Sequence, residues 1–350
     1  MAPTPNPRVI YKAVPKEYPI PGEHLVYESD SASIDLDNVD LHGGALVRTV
    51  YISLDPYLRG TLRDPSVQSY RAANPLGKPM KSRTISKVIR SEDPDFKSGD
   101  YVLSLSSDWS LHAVLTKANG LSKLQKPTNA SLSTYAGVLG MPGLTAFLSL
   151  RAFGRLKAGE TLFVSTAAGV VGSVVAQLAK LAGLKVIGST GDDSKVEWLK
   201  EELKLDVAFN YKTTKVADVL REHGPIDIYY DNVGGETLDV AFQHINKFGR
   251  VILCGFASEY NKGDRPSYGI KNLSSQTISK TLSINGFVIS DITDKEGLDA
   301  FEKEYRPLVE KGQIKYQETR YQGLEKTPEA FLAMFKGQNF GKTVVVVSDE

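Results

Sequence analysis

The sequence is short of the residues and segments that several classes of protein require. It has one cysteine, Cys254, in 350 residues, which excludes an internal disulfide and indicates a reducing, cytoplasmic setting. Its five histidines are far apart and none stands in an H-E-x-x-H pattern, so we predict no metal site. No window reaches the roughly 18 apolar residues of a membrane span. The proline-rich first 21 residues have no apolar core, so we expect no secretory signal there.

Charge of one sign is also missing. The formal net charge is +1, and no basic stretch is interleaved with aromatic residues, so we expect neither a nucleic acid nor a membrane as partner. A chain of this length is typical of two domains, each large enough for its own hydrophobic core.

Residues 162–180, LFVSTAAGVVGSVVAQLAK, read as a buried strand, a tight turn and a helix. Apolar residues recur with the spacing of one helix face; they are Val171, Val174, Val175, Leu178 and Ala182. The turn has small residues where a dinucleotide-binding loop has its glycines, namely Ala167, Gly169 and Gly172. Such a turn lets backbone N–H groups and the helix start approach a pyrophosphate, while Gly172 allows close packing of helix and strand. Alone, the pattern fits an ordinary strand–turn–helix unit equally well.

The surrounding chain favours the dinucleotide interpretation. Strand-like runs recur near Phe163, Val186, Ala208, Ile228, Val251 and Ile284. Helical stretches at 194–203, 216–222 and 236–246 separate most of them. This alternation predicts an α/β fold with a doubly wound parallel sheet. The polar segment 258–279 interrupts the alternation, and its length predicts a functional loop.

The flanking regions have a different rhythm. Residues 7–127 show short β runs at 45–53, 85–89 and 101–105, and the segment 53–60 presents Tyr57 and Arg59 on a loop. After residue 298, a helix, a strand at 319–323, a helix at 328–336 and a strand at 343–347 rejoin this β domain. We therefore expect residues 1–128 and 300–350 to form one domain, with residues 129–299 inserted as the cofactor domain.

The end of the second parallel strand indicates the cofactor. An acid there would hold the adenine ribose of NAD, whereas this sequence has Thr190, followed closely by Lys195. A hydroxyl and a cation suit a 2′-phosphate, which favours NADP. Asp192 leaves two alternatives open: it could hold a ribose hydroxyl, or it could only cap the next helix.

Two further segments follow later strands of the predicted sheet. Residues 230–235 place Asn232 and two glycines at a strand end, and residues 254–260 deliver Tyr260 to the same edge. Taken alone, the first segment is an ordinary glycine-containing turn, and a surface position is the simpler interpretation of Tyr260.

Together these segments resemble one family. They are SLDPYLRG (53–60), GMPGLTA (140–146), AAGVVG (167–172), Lys195, FNYK (209–212), YDNVGG (230–235), CGFASEYN (254–261), NGFV (285–288) and NFGKTV (339–344). The set spans nearly the whole chain and is similar to the zinc-independent medium-chain reductases that act on activated double bonds. These include prostaglandin and leukotriene reductases and plant alkenal reductases.

The resemblance implies a Rossmann domain inserted in a GroES-like β-barrel catalytic domain, NADPH as the cofactor and a homodimer. It places Tyr57 and Tyr260 near the substrate as candidate catalytic residues. The expected cofactor-binding residues are Thr145, Ala168, Gly169, Val170, Val171, Gly172, Thr190, Lys195, Tyr211, Asn232, Cys254, Gly255, Tyr260, Phe287, Val288, Ile289 and Asn339. Residues 80–83 depart from the family, which commonly has a glycine-rich stretch there, and Ala176 replaces a common glycine.

The implied activity is NADPH-dependent reduction of the C=C bond of α,β-unsaturated aldehydes and ketones. A hydride reaches the β-carbon, hydrogen-bond donors stabilise the enolate oxygen, and the α-carbon is then protonated. Three alternatives remain open at this stage: a quinone oxidoreductase, an allylic alcohol dehydrogenase, and a structural or regulatory protein that binds the cofactor without turnover.

Overall fold

The computed structural model describes residues 3–350, which form two compact units. One unit consists of the chain up to Gly137 together with Glu318–Glu350, and the other is Val138–Gln317. Both changes of unit fall later in the chain than the expected positions at 128 and 299. The second falls later because the helical stretch after residue 295 packs into the inserted unit: the ring of Phe147 lies 5.9 Å from that of Phe301 and 5.7 Å from that of Tyr305.

The strands and helices are as follows. The strands are β1 (Thr4–Pro5), β2 (Arg8–Tyr11), β3 (Leu25–Glu28), β4 (Ser33–Ile34), β5 (Ala45–Leu54), β6 (Lys81–Ser91), β7 (Tyr101–Asp108), β8 (His112–Leu115), β9 (Ser122–Lys123), β10 (Thr161–Val164), β11 (Lys185–Thr190), β12 (Val207–Asn210), β13 (Ile226–Asp231), β14 (Ile245–Leu253), β15 (Ser283–Gly286), β16 (Glu318–Gln322) and β17 (Lys342–Val346). The α-helices are α1 (Met141–Ser149), α2 (Val170–Leu181), α3 (Asp193–Glu201), α4 (Val216–His223), α5 (Gly235–His244), α6 (Leu273–Lys280), α7 (Lys295–Ala300), α8 (Arg306–Glu310) and α9 (Thr327–Phe335).

The inserted unit is built on a six-stranded sheet whose order is β12-β11-β10-β13-β14-β15, with every neighbouring pair parallel. Phe163 at the centre pairs with Ile187 on one side and Tyr229 on the other, and all three are fully buried. Strands covered on both faces are apolar throughout, which is why short apolar runs predicted them. The α/β class and the Rossmann-type doubly wound sheet are confirmed.

The buried surface of helix α2 is wider than the single apolar face that the sequence predicted. Val174 and Val175 are fully buried as expected, whereas Val171 and Leu178 are only partly buried. Ser173, Ala176 and Ala179 are buried as well. The reason is tertiary: α1 packs against α2, so the helix is covered on a second side that its own periodicity does not reveal.

We expected the polar segment 258–279 to be a loop, but only its first part is one. Its last part belongs to α6, a helix without a buried residue, in which Ile278 is 78% exposed. A helix that buries no face shows no apolar periodicity, so the sequence pattern did not indicate it.

The other unit contains a seven-stranded sheet that is antiparallel except where β16 pairs with β17. Strand β17 pairs with β5, so the return of the C-terminal segment to the β domain is observed. Its main core includes Tyr11, Trp109 and Phe331, with the last two rings in edge contact at 5.7 Å. Within residues 3–350 no helix is both long enough and apolar enough to cross a membrane.

Candidate cofactor and active site

The turn after β10 is narrow: a side chain would be blocked at Gly172 and crowded at Gly169. A Cβ atom at Gly172 would lie 2.3 Å from the carbonyl oxygen of Thr166, and one at Gly169 would lie 3.2 Å from Thr166 Cγ2. The close approach expected at Gly172 is present, and its partner is the turn rather than the strand. Helix α2 begins at Val170, directly after Gly169, so Gly172 lies in its first turn; the first N–H groups of a helix have no acceptor within it. The backbone of residues 168–171 therefore forms a cradle that suits a pyrophosphate.

The alanine in the first place of the turn is accommodated by the neighbouring strand. Ala167 N donates to Ser189 O at 2.8 Å, which holds the turn against β11. A Cβ atom at Gly188 would lie only 2.8 Å from the Ala167 Cβ atom. The methyl group thus occupies the space that a glycine on β11 leaves open, so the departure from the glycine pattern does not disturb the turn.

Polar and cationic groups surround the end of β11, where the adenine ribose would bind. Thr190 is buried, and its carbonyl oxygen accepts a hydrogen bond from Tyr211 N at 3.0 Å. Burial lowers the pKa of Lys195, the charge of Asp192 raises it, and the charge of Lys212 lowers it again. A Cβ atom at Gly191 would lie 3.0 Å from the Tyr211 ring and 3.2 Å from Lys212 Cε. This donor set suits a 2′-phosphate.

Lys212 was not among the residues predicted from sequence. It stands directly after Tyr211 in the FNYK segment, so the signal that pointed to Tyr211 also contained it. Asp192 acts as the cap of α3: its Oδ1 accepts from Ser194 N at 2.9 Å and from the Ser194 hydroxyl at 2.6 Å. Of the alternatives left open for Asp192, the structure shows the helix cap.

A buried hydrogen-bond network organises the ends of β10 and β13. Asn232 N donates to Ser165 Oγ at 2.9 Å, and Asn232 Nδ2 donates to Ser165 O at 2.7 Å. Asp231 Oδ1 accepts from the Tyr229 hydroxyl at 2.7 Å and from Val233 N and Gly234 N at 2.9 Å each. The Asn232 turn is therefore fixed by buried side chains that sequence reasoning did not single out, although Asp231 directly precedes Asn232.

The loop after β14 is attached to this turn. Cys254 N and Gly255 N both donate to Asp231 O, at 2.9 and 3.0 Å. Burial raises the pKa of the Cys254 thiol to about 11, so the thiol is protonated near neutral pH. Further along the loop, the ring of Tyr260 lies 4.6 Å from that of Phe256. Tyr260 lies in the loop that leaves the carboxyl end of β14, and its place beside the cofactor stays a prediction.

The remaining predicted residues fall into two groups. Phe287, Val288 and Ile289 follow the last strand of the same sheet, and Phe287 packs 5.8 Å from Phe153. Thr145 is buried on α1 of the same unit. Asn339 belongs to the other unit, where its Nδ2 donates to Gly341 O at 2.9 Å. Their contacts with a cofactor stay predictions.

Tyr57 is held by a buried ion pair in the β unit. Pro56–Thr61 form a 3-10 helix that starts after Asp55. Lys342 Nζ lies 2.6 Å from Asp55 Oδ1, and each side chain is 4% exposed. Arg83 Nη1 donates to the Tyr57 hydroxyl at 3.2 Å, and Arg71 Cζ lies 4.3 Å from the centre of the Tyr57 ring.

Arg59 is not presented on a loop as expected. It is 8% exposed, and its guanidinium donates to backbone carbonyls of Pro15 at 2.9 Å, Glu17 at 2.8 Å and Leu62 at 3.4 Å. Its role is structural, because it ties the 3-10 helix to the segment before β3. The polar appearance of the sequence around it could not show that its acceptors at Pro15 and Glu17 lie more than forty residues away.

Among residues 3–350 no group of three or more His, Cys, Asp or Glu side chains is arranged to hold a metal ion. The prediction of a metal-free site rests on the dispersed histidines and is tested below.

Comparison with known proteins identifies the family. Residues 33–124 match a family described as the N-terminal domain of oxidoreductase, and residues 170–303 match one described as zinc-binding dehydrogenase. The chain is 35% identical over 348 residues to the NADP(+)-dependent 2-alkenal reductase of Nicotiana tabacum, covering 99% of this chain and 98% of that protein. It is 36% identical to the NADPH-dependent curcumin reductase of Escherichia coli, with the same coverage. The chain belongs to the zinc-independent medium-chain dehydrogenase/reductase family.

A solved structure agrees with this assignment. The fold matches that of CurA from Vibrio vulnificus in complex with NADPH, with a TM-score of 0.86, 32% identity, and coverage of 98% of this chain and 100% of that one. This member of the family is an NADP-dependent oxidoreductase, and the turn after β10 and the lysines beside Thr190 fit NADPH as its cofactor.

Proposed function

We propose that this oxidoreductase reduces the C=C bond of α,β-unsaturated aldehydes and ketones. The observation that carries the proposal is the similarity, over 99% of the chain, to relatives named 2-alkenal reductase and curcumin reductase. NADPH, when bound, supplies the hydride for the β-carbon of the substrate. The chain's own residues must bind and orient the cofactor, stabilise the negative charge that develops on the carbonyl oxygen, and provide for protonation of the α-carbon.

The groups described above would hold the cofactor. Residues 168–171 would contact the pyrophosphate, Lys195 and Tyr211 would contact the 2′-phosphate side, and Gly172 keeps the helix start close to the turn. The further residues that would contact the cofactor are Thr145, Thr190, Asn232, residues 254, 255 and 260, residues 287–289, and Asn339.

Two phenols are proposed to serve the substrate. Burial and the nearby Asp55 raise the pKa of Tyr57, while Arg83 and Arg71 lower it; the net direction is upward, so the hydroxyl keeps its proton near neutral pH. A neutral phenol can donate to a developing oxyanion at little cost of burial. Tyr260 has the same chemistry, and the alternative role for it is packing on Phe256.

The activity is tested by measuring NADPH oxidation with a 2-alkenal, an enone, a benzoquinone and no acceptor, together with NADP reduction by an allylic alcohol. We expect turnover with the first two and a saturated carbonyl product by NMR. Turnover restricted to the quinone or to the alcohol would assign the corresponding alternative activity. No turnover with any of them, alongside NADPH binding, would indicate a cofactor-binding protein instead.

We also propose that the protein is a homodimer. Strand β15 is the edge of the six-stranded sheet, where backbone groups are available for pairing, and Ile284 on it is 36% exposed. Leu273 and Ile278 on α6 add exposed apolar surface at 42% and 78%. Sedimentation of the wild type and of Ile284→Lys should give a dimer and a monomer respectively. A monomeric wild type would refute the proposal.

A further inference from the structure

Arg83 constrains the direction in which Tyr57 can donate a hydrogen bond. The Tyr57 hydroxyl oxygen accepts from Arg83 Nη1 at 3.2 Å. A guanidinium has only donors, so it cannot receive the phenol hydrogen. That hydrogen is therefore turned away from Arg83, and the hydroxyl is set as a donor towards any other acceptor brought to it.

The strand carrying Arg83 is irregular at this residue. The pairing of β6 with β7 shifts register between Ser82 and Thr84, and a bulge of this kind redirects the side chain of the residue within it. Ser82 Oγ accepts from Trp109 Nε1 at 2.8 Å and donates to Arg83 O at 3.1 Å. Trp109 is fully buried in the core, so these two hydrogen bonds of Ser82 fix the backbone at Arg83.

The backbone that carries Tyr57 is also fixed, through the contacts of Asp55. Asp55, two residues earlier, accepts from Lys342 at 2.6 Å and from the Ser53 hydroxyl at 2.7 Å, and all three of these residues are buried. The charged or titratable groups that act on Tyr57 are Asp55, Arg83, Arg71 and Tyr70. Two rigid elements thus bring a cation to a phenol.

We propose that Arg83 is a positioning residue that acts through Tyr57, orienting its hydroxyl as a donor to the carbonyl oxygen of the substrate and increasing its acidity. The inference rests on the proposed reduction of enones. Tyr57 donates a hydrogen bond and keeps its proton, so no atom or charge is transferred to or from Arg83. A hydroxyl that accepts a hydrogen bond from a cation becomes a stronger donor itself, because hydrogen bonds in a chain polarise one another.

Four variants test the inference: Tyr57→Phe, Arg83→Met, Arg83→Lys and the double variant Arg83→Met/Tyr57→Phe. With an enone, Arg83→Met should lower kcat roughly tenfold with little change in KM, the effect of a lost charge-assisted hydrogen bond. Arg83→Lys should retain more of kcat than Arg83→Met. In the Tyr57→Phe background, Arg83→Met should cause no further loss. An equal loss in both backgrounds would overturn the inference, because Arg83 would then act independently of Tyr57.

A second readout does not depend on turnover. The tyrosinate absorbance of each protein, minus that of the same protein with Tyr57→Phe added, gives the titration of Tyr57; Arg83→Lys and the control below therefore also need their double variants with Tyr57→Phe. Arg83→Met should lower its acid dissociation constant roughly tenfold, and Arg83→Lys should lower it less. An unchanged titration would contradict the inference even if the enzyme reduces enones. A wild type inactive on enones would refute the proposed function, and the titration would still decide whether Arg83 acts on Tyr57.

Lys87→Met is the matched control. Lys87 lies on the same strand, with its Nζ 5.2 Å from the ring of Tyr101, so the substitution removes a cation from a different tyrosine. Both kcat and the Tyr57 titration should match the wild type. Changes equal to those of Arg83→Met would show a general effect of charge on β6 and would overturn the inference.

Discussion

Lys195 and Lys212 place two positive charges beside Thr190, where an NAD-binding protein would have an acid. Loss of a charge-assisted hydrogen bond to a phosphate costs roughly 1.5–3 kcal/mol, or about 10- to 150-fold in affinity. Lys195→Ala should therefore weaken NADPH binding by a factor in that range and barely change NADH binding, as measured by fluorescence titration. Lys200→Ala, on the exposed side of the same helix, is the control. Equal losses for the two cofactors would exclude a contact with the 2′-phosphate.

Tyr260 can be tested by removing its hydroxyl alone. If that group stabilises the transition state, Tyr260→Phe should lower kcat by about 10²- to 10³-fold, the range for one lost oxyanion donor, and leave NADPH affinity nearly unchanged. The ring contact with Phe256 at 4.6 Å persists in this variant. Near-normal turnover would make Tyr260 a packing residue and leave Tyr57 or bound water as the donor.

Some single residues were predictable and others were not, for a physical reason. Thr190 and Asn232 could be placed because a residue that ends a parallel strand must lie at the carboxyl edge of the sheet. Arg59 was misplaced, and Arg83 and Lys342 were not identified. Their partners are distant in the sequence, as for Lys342 and Asp55, which are 287 residues apart, and local patterns carry no information about such pairs.

At the scale of elements, the contact between the start of α2 and the preceding turn gives the sharpest prediction. Gly172→Ala would place a methyl group 2.3 Å from the backbone oxygen of Thr166, which cannot move aside as the end of a flexible side chain could. We expect weaker NADPH binding and a lower melting temperature, since helix and turn must separate. Gly269→Ala, where a Cβ atom would meet nothing within 4 Å, is the control. Unchanged binding and stability in Gly172→Ala would show that the turn is more open than the structure indicates.

Strands and helices could be predicted where burial imposes a regular pattern of apolar residues on the sequence. Strands β10 to β13 of the parallel sheet are mostly buried and are short runs rich in apolar residues because both of their faces are covered, and α3 and α4 were found within two residues of their ends. Helix α6 was missed because none of its residues is buried, so its sequence has no apolar face. The extra burial of α2 and the irregularity at Arg83 also escaped notice, because neighbouring elements produce them rather than the local sequence.

For the molecule as a whole, the ion pair between Asp55 and Lys342 joins the two chain segments of the β unit. Removing one partner of a buried pair leaves an uncompensated charge, which costs about 3–5 kcal/mol. Lys342→Met should therefore lower the free energy of unfolding by about that amount in urea, and Asp55→Asn/Lys342→Met should recover part of the loss. Lys326→Met, which breaks the exposed pair with Glu329, should have little effect. A stable Lys342→Met would mean that packing alone joins the segments.

Metal dependence is also a property of the whole chain. With one cysteine and five dispersed histidines, we expect full activity after dialysis against a strong chelator. The measurement compares the NADPH-dependent rate before and after treatment, with and without added zinc. A loss of rate that zinc restores would contradict the prediction.

The division of the chain also bears on folding during synthesis. Strand β5 pairs with β17, and β17 ends at Val346, so the sheet of the β unit is incomplete until that residue has been synthesised. The six strands of the inserted unit are all complete at Gly286. A nascent chain can therefore assemble the six-stranded parallel sheet before β17, the last strand of the β unit, has been synthesised. We therefore expect the unit whose synthesis starts earlier to be the later one to finish folding.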